Sequence, residues 1–220
     1  MQVVISGYGK MGHMVEEVLR EKGIPCAGTS EDIASFDPAI AAQSVCIDFT
    51  FPDSFRKNYR FLAEHFKAVV VGTTGWNDIA PEVIACFEKC GTPMVYASNF
   101  SIGVNVTFAL AALAAKKLKN AGYQASIIET HHIHKLDAPS GTAASIAKIV
   151  DAQTGEKTPI ESIRIGEVPG IHELIFSGNC DKISIRHEAF SRKGFAEGAV
   201  QAALMTEGLS GVHEFKDLIL

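Results

Sequence analysis

Gln2-Val3-Val4-Ile5-Ser6-Gly7-Tyr8-Gly9-Lys10-Met11-Gly12 sets a short apolar run directly before glycines spaced G-x-G-x-x-G. The run from Gln2 to Ser6 predicts a buried strand. Beyond the glycines, Met14, Val15, Val18 and Leu19 fall on one face of a helix predicted over Gly12 to Lys22. Between a strand and a helix, each glycine has a task. Gly7 permits the tight turn, Gly9 lets backbone approach a pyrophosphate, and Gly12 allows close helix–strand packing. Amides at the helix start then meet the phosphates. Gly7, Tyr8, Gly9, Lys10, Met11 and Gly12 are thus a candidate dinucleotide site.

The same rhythm runs outward from this turn. Ile24 to Thr29, Ser44 to Phe49, Ala68 to Val71 and Pro93 to Ala97 read as strands, with helices around Asp53 to His65 and Pro81 to Lys89. Near-continuous apolar strands fit a parallel sheet covered on both faces. Ligands of such sheets collect at the carboxyl ends of the strands. Gly72, Thr73 and Thr74 follow one strand end, and Ser98, Asn99, Phe100 and Ser101 follow another. The ribose partner is expected about 20 residues past the glycines, where Thr29, Ser30, Glu31 and Asp32 stand. A carboxylate such as Glu31 would favour NADH, while hydroxyls with Lys10 nearby would tolerate the 2′-phosphate of NADPH. Both cofactors stay open.

After Asn99 the pattern changes, which predicts a domain boundary near residue 100. Val104 to Lys119 is a long Ala-rich helix candidate, Ala125 to His131 a strand, and Ser140 to about Gln153 a helix. Glu173 to Ser177 and Lys182 to His187 suggest an antiparallel sheet, and Phe195 to Leu209 is again helical. A length of 220 residues accommodates one large domain or two small ones. Lys and Arg number 20 against 25 Asp and Glu, too acidic a balance for a dedicated nucleic-acid binder. The five cysteines contain no Cys-x-x-Cys pair, so a disulfide framework or structural zinc site is not expected. With no signal peptide and no apolar stretch long enough to span a bilayer, the expectation is a cytoplasmic protein without a membrane partner.

The densest chemistry lies in Glu129-Thr130-His131-His132-Ile133-His134-Lys135-Leu136-Asp137-Ala138-Pro139-Ser140-Gly141-Thr142. Continued as a strand, the segment would place His132 and His134 on one face and His131 on the other. Two such histidines could ligate zinc, but no third and fourth ligand lies nearby in sequence, so no metal is expected. A solvated basic loop is a second reading. The third is an anion pocket with acid–base capacity. Imidazoles titrate near neutrality, Lys135 adds a compact positive charge, and the amides of Ser140, Gly141 and Thr142 open a helix where a carboxylate can sit. A small dicarboxylate suits that set, with the cofactor on the other domain.

Through these two motifs and others, the sequence resembles the 4-hydroxy-tetrahydrodipicolinate reductase (dihydrodipicolinate reductase) family nearly end to end. The resemblance rests on Gly7 to Gly12, Ile47 to Thr50 with Pro52, Gly72 to Gly75 and Asn99 to Asn105. Above all it rests on Glu129 to Ala143, with Arg164 to Gly166, Val168 to Gly170 and Ser191-Arg192 beyond. It implies an α/β fold: an N-terminal Rossmann-type dinucleotide-binding domain, residues 1–103 plus about 191–220, and a second α+β substrate-binding and oligomerisation domain, about 104–190. It also implies His131 as proton donor or acceptor, Lys135 as second acid and charge partner, and His132, Ser140, Gly141 and Thr142 on the substrate carboxylates. NADH or NADPH would be the reductant, in a homotetramer. The chain departs from the pattern in being short between its second strand and Ser44. It also carries Thr29-Ser30-Glu31-Asp32 where a single acidic residue is usual.

Overall fold

Gln2–Ser6 forms strand β1, and the chain passes through the glycine turn straight into helix α1, Lys10–Glu21. The helix takes in Lys10, Met11 and Gly12, two residues earlier than the apolar spacing predicts, because nothing after Gly9 breaks it. The computed structural model describes residues 1–219. It divides into two compact units, Met1–Ser101 with Lys193–Leu220, and Ile102–Arg192.

In the first unit β2 (Cys26–Ser30), a short α2 (Pro38–Ala41), β3 (Ser44–Asp48), α3 (Pro52–His65), β4 (Ala68–Val71), α4 (Ala80–Cys90) and β5 (Met94–Tyr96) follow in order. Six strands pair in the order β10-β5-β4-β3-β1-β2, every neighbour parallel; β10 is Val212–Glu214. Alternate residues of each strand serve opposite faces. Val3, Ile5, Val45, Ile47, Val70 and Val95 pack with Val15, Val18 and Leu19 of α1 and with Ala199, Val200 and Ala203. Val4, Cys46, Val69, Val71 and Met94 pack on the other face with Phe55, Tyr59 and Leu62 of α3 and Val83 and Phe87 of α4. The unbroken apolar runs follow from this two-sided burial. Each such side chain adds about 1.5–3 kcal/mol when fully buried.

The helix that closes the first face comes from the far end of the chain. It is α7, Lys193–Met205, followed by β10 and by α8, Phe215–Ile219. Its small residues let it lie close: a side chain at Gly198 would fall 1.7 Å from the carbonyl oxygen of Phe100. Neither β10 nor α8 stands out in the sequence, being only three and five residues long.

The second unit holds α5 (Ile102–Leu118), β6 (Gln124–His131), α6 (Gly141–Thr154), β7 (Ile160–Arg164), β8 (Gly170–Ser177) and β9 (Lys182–Ala189). Its sheet runs β7-β6-β8-β9, with β7 parallel to β6 and the remaining pairs antiparallel. Strand β7 escapes sequence reading because its apolar residues are only half-buried or exposed. Ala111, Ala115, Ile127, Ile146, Val150, Leu174 and Phe176 form one core between α5, α6 and the sheet. The architecture is α/β, a Rossmann-like parallel sheet joined to a second, mixed-sheet unit. Among the described residues no helix is long and apolar enough to cross a membrane.

Candidate active site

The glycine turn behaves as its spacing requires. Gly7 takes φ +85°, and a side chain there would lie 2.4 Å from the carbonyl oxygen of Phe49. At Gly12 it would lie 2.4 Å from the carbonyl oxygen of Gly7, whereas at Gly9 nothing stands within 4 Å. Gly7 and Gly12 are therefore demanded by the fold, while the space in front of Gly9 is open. Gly9 also caps α1 without a side-chain hydrogen bond, so the first helical amides face outward for a ligand. These residues fit a pyrophosphate.

Glu31 lies just past β2 and accepts a hydrogen bond from the Tyr8 amide at 3.1 Å, while the Gly7 amide donates to the Ser30 carbonyl at 2.8 Å. Of the four residues at this strand end, Glu31 puts its carboxylate against the glycine turn. Ser30 instead accepts from the Asp32 amide. The Tyr8 hydroxyl donates to Glu16 at 2.5 Å, and its ring packs 4.0 Å from that of His13. Lys10 is exposed and Met11 packs half-buried on the core.

At the other strand ends two candidate residues turn their side chains inward. Thr73 is buried, and its hydroxyl donates to Asp48 at 2.5 Å and accepts from the Thr50 amide at 2.7 Å. Phe100 is buried between Phe49 and Phe215, 6.2 and 5.1 Å between ring centroids. Both can meet a ligand only through backbone, because their side chains are committed to the interior. Gly72 leaves room for the Phe49 ring, while Thr74 and Ser98 are exposed. Asn99 accepts the Ser101 amide at 2.8 Å.

In the second unit, the helix-covered face of the sheet changes character toward the start of α6. Ile127, Leu174 and Phe176 give way along the same faces to Glu129, His131 and His172, all buried. Glu129 and His172 are direct cross-strand partners. His131 Nδ1 meets one Glu129 oxygen. The other accepts from Arg164 at 2.8 Å and from the Ser140 amide at 3.3 Å. Burial works to raise the Glu129 carboxyl, but hydrogen bonds from Arg164, Ser162 and His131 outweigh it and hold it at about 2. Burial lowers His131, with Glu129 opposing. It pushes His172 down to about 4, helped by the charge of His131.

Strand β6 ends at His131, so the predicted alternation does not reach His132 and His134. Both lie in the following turn with rings 6.1 Å apart. Lys135 Nζ donates to both oxygens of Asp137, at 2.7 and 2.8 Å. Ser140 caps α6: its hydroxyl accepts the Ala143 amide at 3.3 Å and meets His172 Nε2 at 3.0 Å. With its amide on Glu129, Ser140 is fully engaged within the protein. Gly141 and Thr142, the next two residues, have no acceptor inside the helix.

Glu129, Arg164 and His172 are the members that sequence spacing did not single out. Glu129, His131 and His172 also bring ligand atoms within 4.8 Å of one another, a grouping able to span a metal ion. Arg164 already supplies the cation at Glu129, which disfavours a second one.

A nucleotide-type turn on one unit and a buried carboxylate–imidazole pair beside a helix start on the other narrow the choice of families. The dihydrodipicolinate reductase C-terminal family model matches residues 103–219, and the N-terminal model matches residues 23–100. The chain belongs to the dihydrodipicolinate reductase family. It is 35% identical to 4-hydroxy-tetrahydrodipicolinate reductase of Christiangramia forsetii, over 100% of this chain and 98% of that one. To the protein of the same name from Ralstonia pickettii it is 34% identical, over 100% and 99%. Among solved structures it is similar to a dipicolinate-bound dihydrodipicolinate reductase from Paenisporosarcina sp. TG-14, with TM-score 0.81 and 22% identity over 99% of both chains. An engineered D-amino acid dehydrogenase bound to NADP+ shares the fold at TM-score 0.60 and 13% identity, over 99% of this chain and 93% of that one. The N-terminal family match starts beyond the glycine turn, which stands on its own geometry.

Proposed function

We propose that this protein reduces 4-hydroxy-tetrahydrodipicolinate to tetrahydrodipicolinate with NADH or NADPH, a step of diaminopimelate and lysine biosynthesis. The observation that carries this reading is the family match across both units, joined to the buried Glu129–His131 pair beside the start of α6. Gly7 to Gly12, with Glu31 and the backbone of Gly72 to Thr74 and Ser98 to Ser101, would hold the dinucleotide. When bound, the nicotinamide supplies a hydride to C4 of the unsaturated ring. Loss of water from the 4-hydroxy adduct precedes or accompanies that transfer.

The chain's own residues then have two tasks. Negative charge moves toward the ring nitrogen, and the enamine that results takes up a proton. In this reading His131 delivers that proton and Lys135 balances the charge. The open amides of Gly141 and Thr142, with His132, would receive the carboxylates; Ser140 holds that helix start in place. We also place the enzyme in the cytoplasm, as a homotetramer assembled through its second unit.

The test is oxidation of NADH and NADPH with the precursor generated in situ by a coupled dehydratase. Precursor-dependent loss of reduced-nicotinamide absorbance supports the reading and ranks the two cofactors. Folded protein that binds NADH yet oxidises neither cofactor refutes it. Turnover of an aldehyde or 2-oxo acid instead would point to an amino-acid dehydrogenase.

A further inference from the structure

We propose that Glu129, clamped by Arg164, is a positioning residue that fixes the tautomer and orientation of His131 for proton transfer. The inference rests on the reading of His131 as the proton-handling group.

Glu129 is a fully buried carboxylate. Such a group is retained only where every oxygen has a donor. One oxygen is held by Arg164 and by the Ser140 amide, which fixes the plane of the carboxylate. The other faces His131 Nδ1, two residues along the same face of β6. Arg164 is itself fixed, donating also to the carbonyl oxygens of Asp137 and Ile163 at 2.7 and 2.8 Å. Strand β7 brings it there, pairing Arg164 directly with His131 in register.

An ionised carboxylate can only accept, so the proton of a neutral His131 belongs on Nδ1. Nε2 is then the nitrogen that gains and loses a proton, and among the described residues it has no hydrogen-bond partner. Its place is kept open by Gly170 on β8, where a side chain would come within 3.0 Å of it. The carboxylate also favours the imidazolium. When Nε2 gives its proton to the enamine carbon, neutral imidazole remains with Nδ1–H on Glu129. Nε2 is recharged from solvent.

The charged and titratable groups facing His131 are Glu129 on its own strand, Lys135 in the turn, Arg164 on β7 and His172 on β8. Only Glu129 is anionic, so removing its charge must lower the His131 pKa further.

Three measurements decide the proposal. Nitrogen-15 NMR of histidine-labelled wild-type protein reads the tautomer directly. A neutral His131 protonated on Nδ1 is expected, and one protonated on Nε2 overturns the proposal. Glu129→Gln is expected to lower kcat roughly 10–100-fold, with the dipicolinate inhibition constant and the NADH Kd within about threefold of wild type. The His131-dependent limb of the pH–rate profile should move to lower pH. Glu129→Asp, which keeps the charge, should leave that limb in place. Unchanged kcat and pH profile in Glu129→Gln would refute the positioning role. His131→Asn separates the two readings. If it turns over normally, the assignment of His131 itself fails; if it is inactive while Glu129→Gln is normal, only the positioning role fails.

Discussion

Thr73 donates its hydroxyl to the buried carboxylate of Asp48 at 2.5 Å, tying the end of β4 to the end of β3. Ser6 at the end of β1 donates to the same carboxylate at 2.7 Å, and Thr50 adds its own hydroxyl at 3.0 Å. Three loops at the ligand end of the sheet thus share one acceptor. Burial raises the Asp48 carboxyl, while Thr73, Ser6 and Thr50 oppose that rise. Asp48→Ala would strand all three hydroxyls and is expected to cost about 2–4 kcal/mol in urea denaturation. Asp48→Asn keeps an acceptor without the buried charge and should cost less than half as much. Equal losses in the two variants would show that cavity formation, not hydrogen bonding, sets the cost.

His172 gives the protein a stability that depends on acid. It is held neutral in the fold, down at about 4 from 6.5, mainly by burial. The unfolded chain takes up that proton at higher pH. Stability is therefore present above about 6.5 and is lost as pH falls to about 4, by roughly 3 kcal/mol from this group. Burial shifts His131 and His187 the same way. His172→Gln should flatten the acid side of a plot of unfolding free energy against pH without abolishing its slope. A profile parallel to wild type would count against the neutral, buried assignment.

Lys135 and Asp137 can separate charge from shape in the proposed anion pocket. Their bidentate pair holds the Asp137 carboxyl below its usual range. Lys135→Ala should weaken inhibition by dipicolinate about tenfold and lower turnover as well. Asp137→Asn, which leaves the ammonium in place, should weaken inhibition far less. Inhibition constants for the two variants, compared at low and high salt, distinguish them, because a loss that comes from charge shrinks as salt rises.

Gly9 and Gly198 are opposite cases of the same residue. A methyl at Gly9 meets empty space, so Gly9→Ala should unfold near the wild-type temperature while binding NADH at least tenfold more weakly. A methyl at Gly198 meets the Phe100 carbonyl at 1.7 Å. Gly198→Ala should therefore lose about 1–3 kcal/mol of stability as α7 is pushed off the sheet. Thermal melts beside NADH titrations read both effects. Wild-type NADH affinity in Gly9→Ala would remove the glycine turn from the cofactor site.

The parts of this structure that rest on local periodicity were legible in the chain. Val3, Ile5, Val15 and Leu19 carry β1 and α1 without reference to anything distant. The glycine turn is legible because its spacing sits between a strand and a helix that are themselves local. Only Gly12 answers to a near neighbour, Gly7, while Gly7 answers to Phe49 on another strand end. The carboxylate–imidazole network was not. Arg164 reaches Glu129 across 35 positions, from a strand whose apolar residues are too exposed to announce it. His172 does carry a signal in the sequence. Within Ile171 to Phe176, the alternation that buries Leu174 and Phe176 also buries His172, and a histidine in an otherwise apolar row needs a partner. That Thr73 and Phe100 turn inward is not legible either, because a hydroxyl or ring at a strand end looks the same in sequence whether it turns outward or inward.

The return of α7 and β10 to the first sheet has a consequence for how the molecule comes into being. Until residues past Arg192 have been synthesised, Val45, Ile47 and Val70 on β3 and β4 lack the helix that packs on them, and β5 is a bare sheet edge. The second unit, by contrast, is contiguous in sequence and is complete by then. On the ribosome the unit that begins the chain is thus the last to close. Its exposed apolar face must be kept from other nascent chains until α7 has emerged.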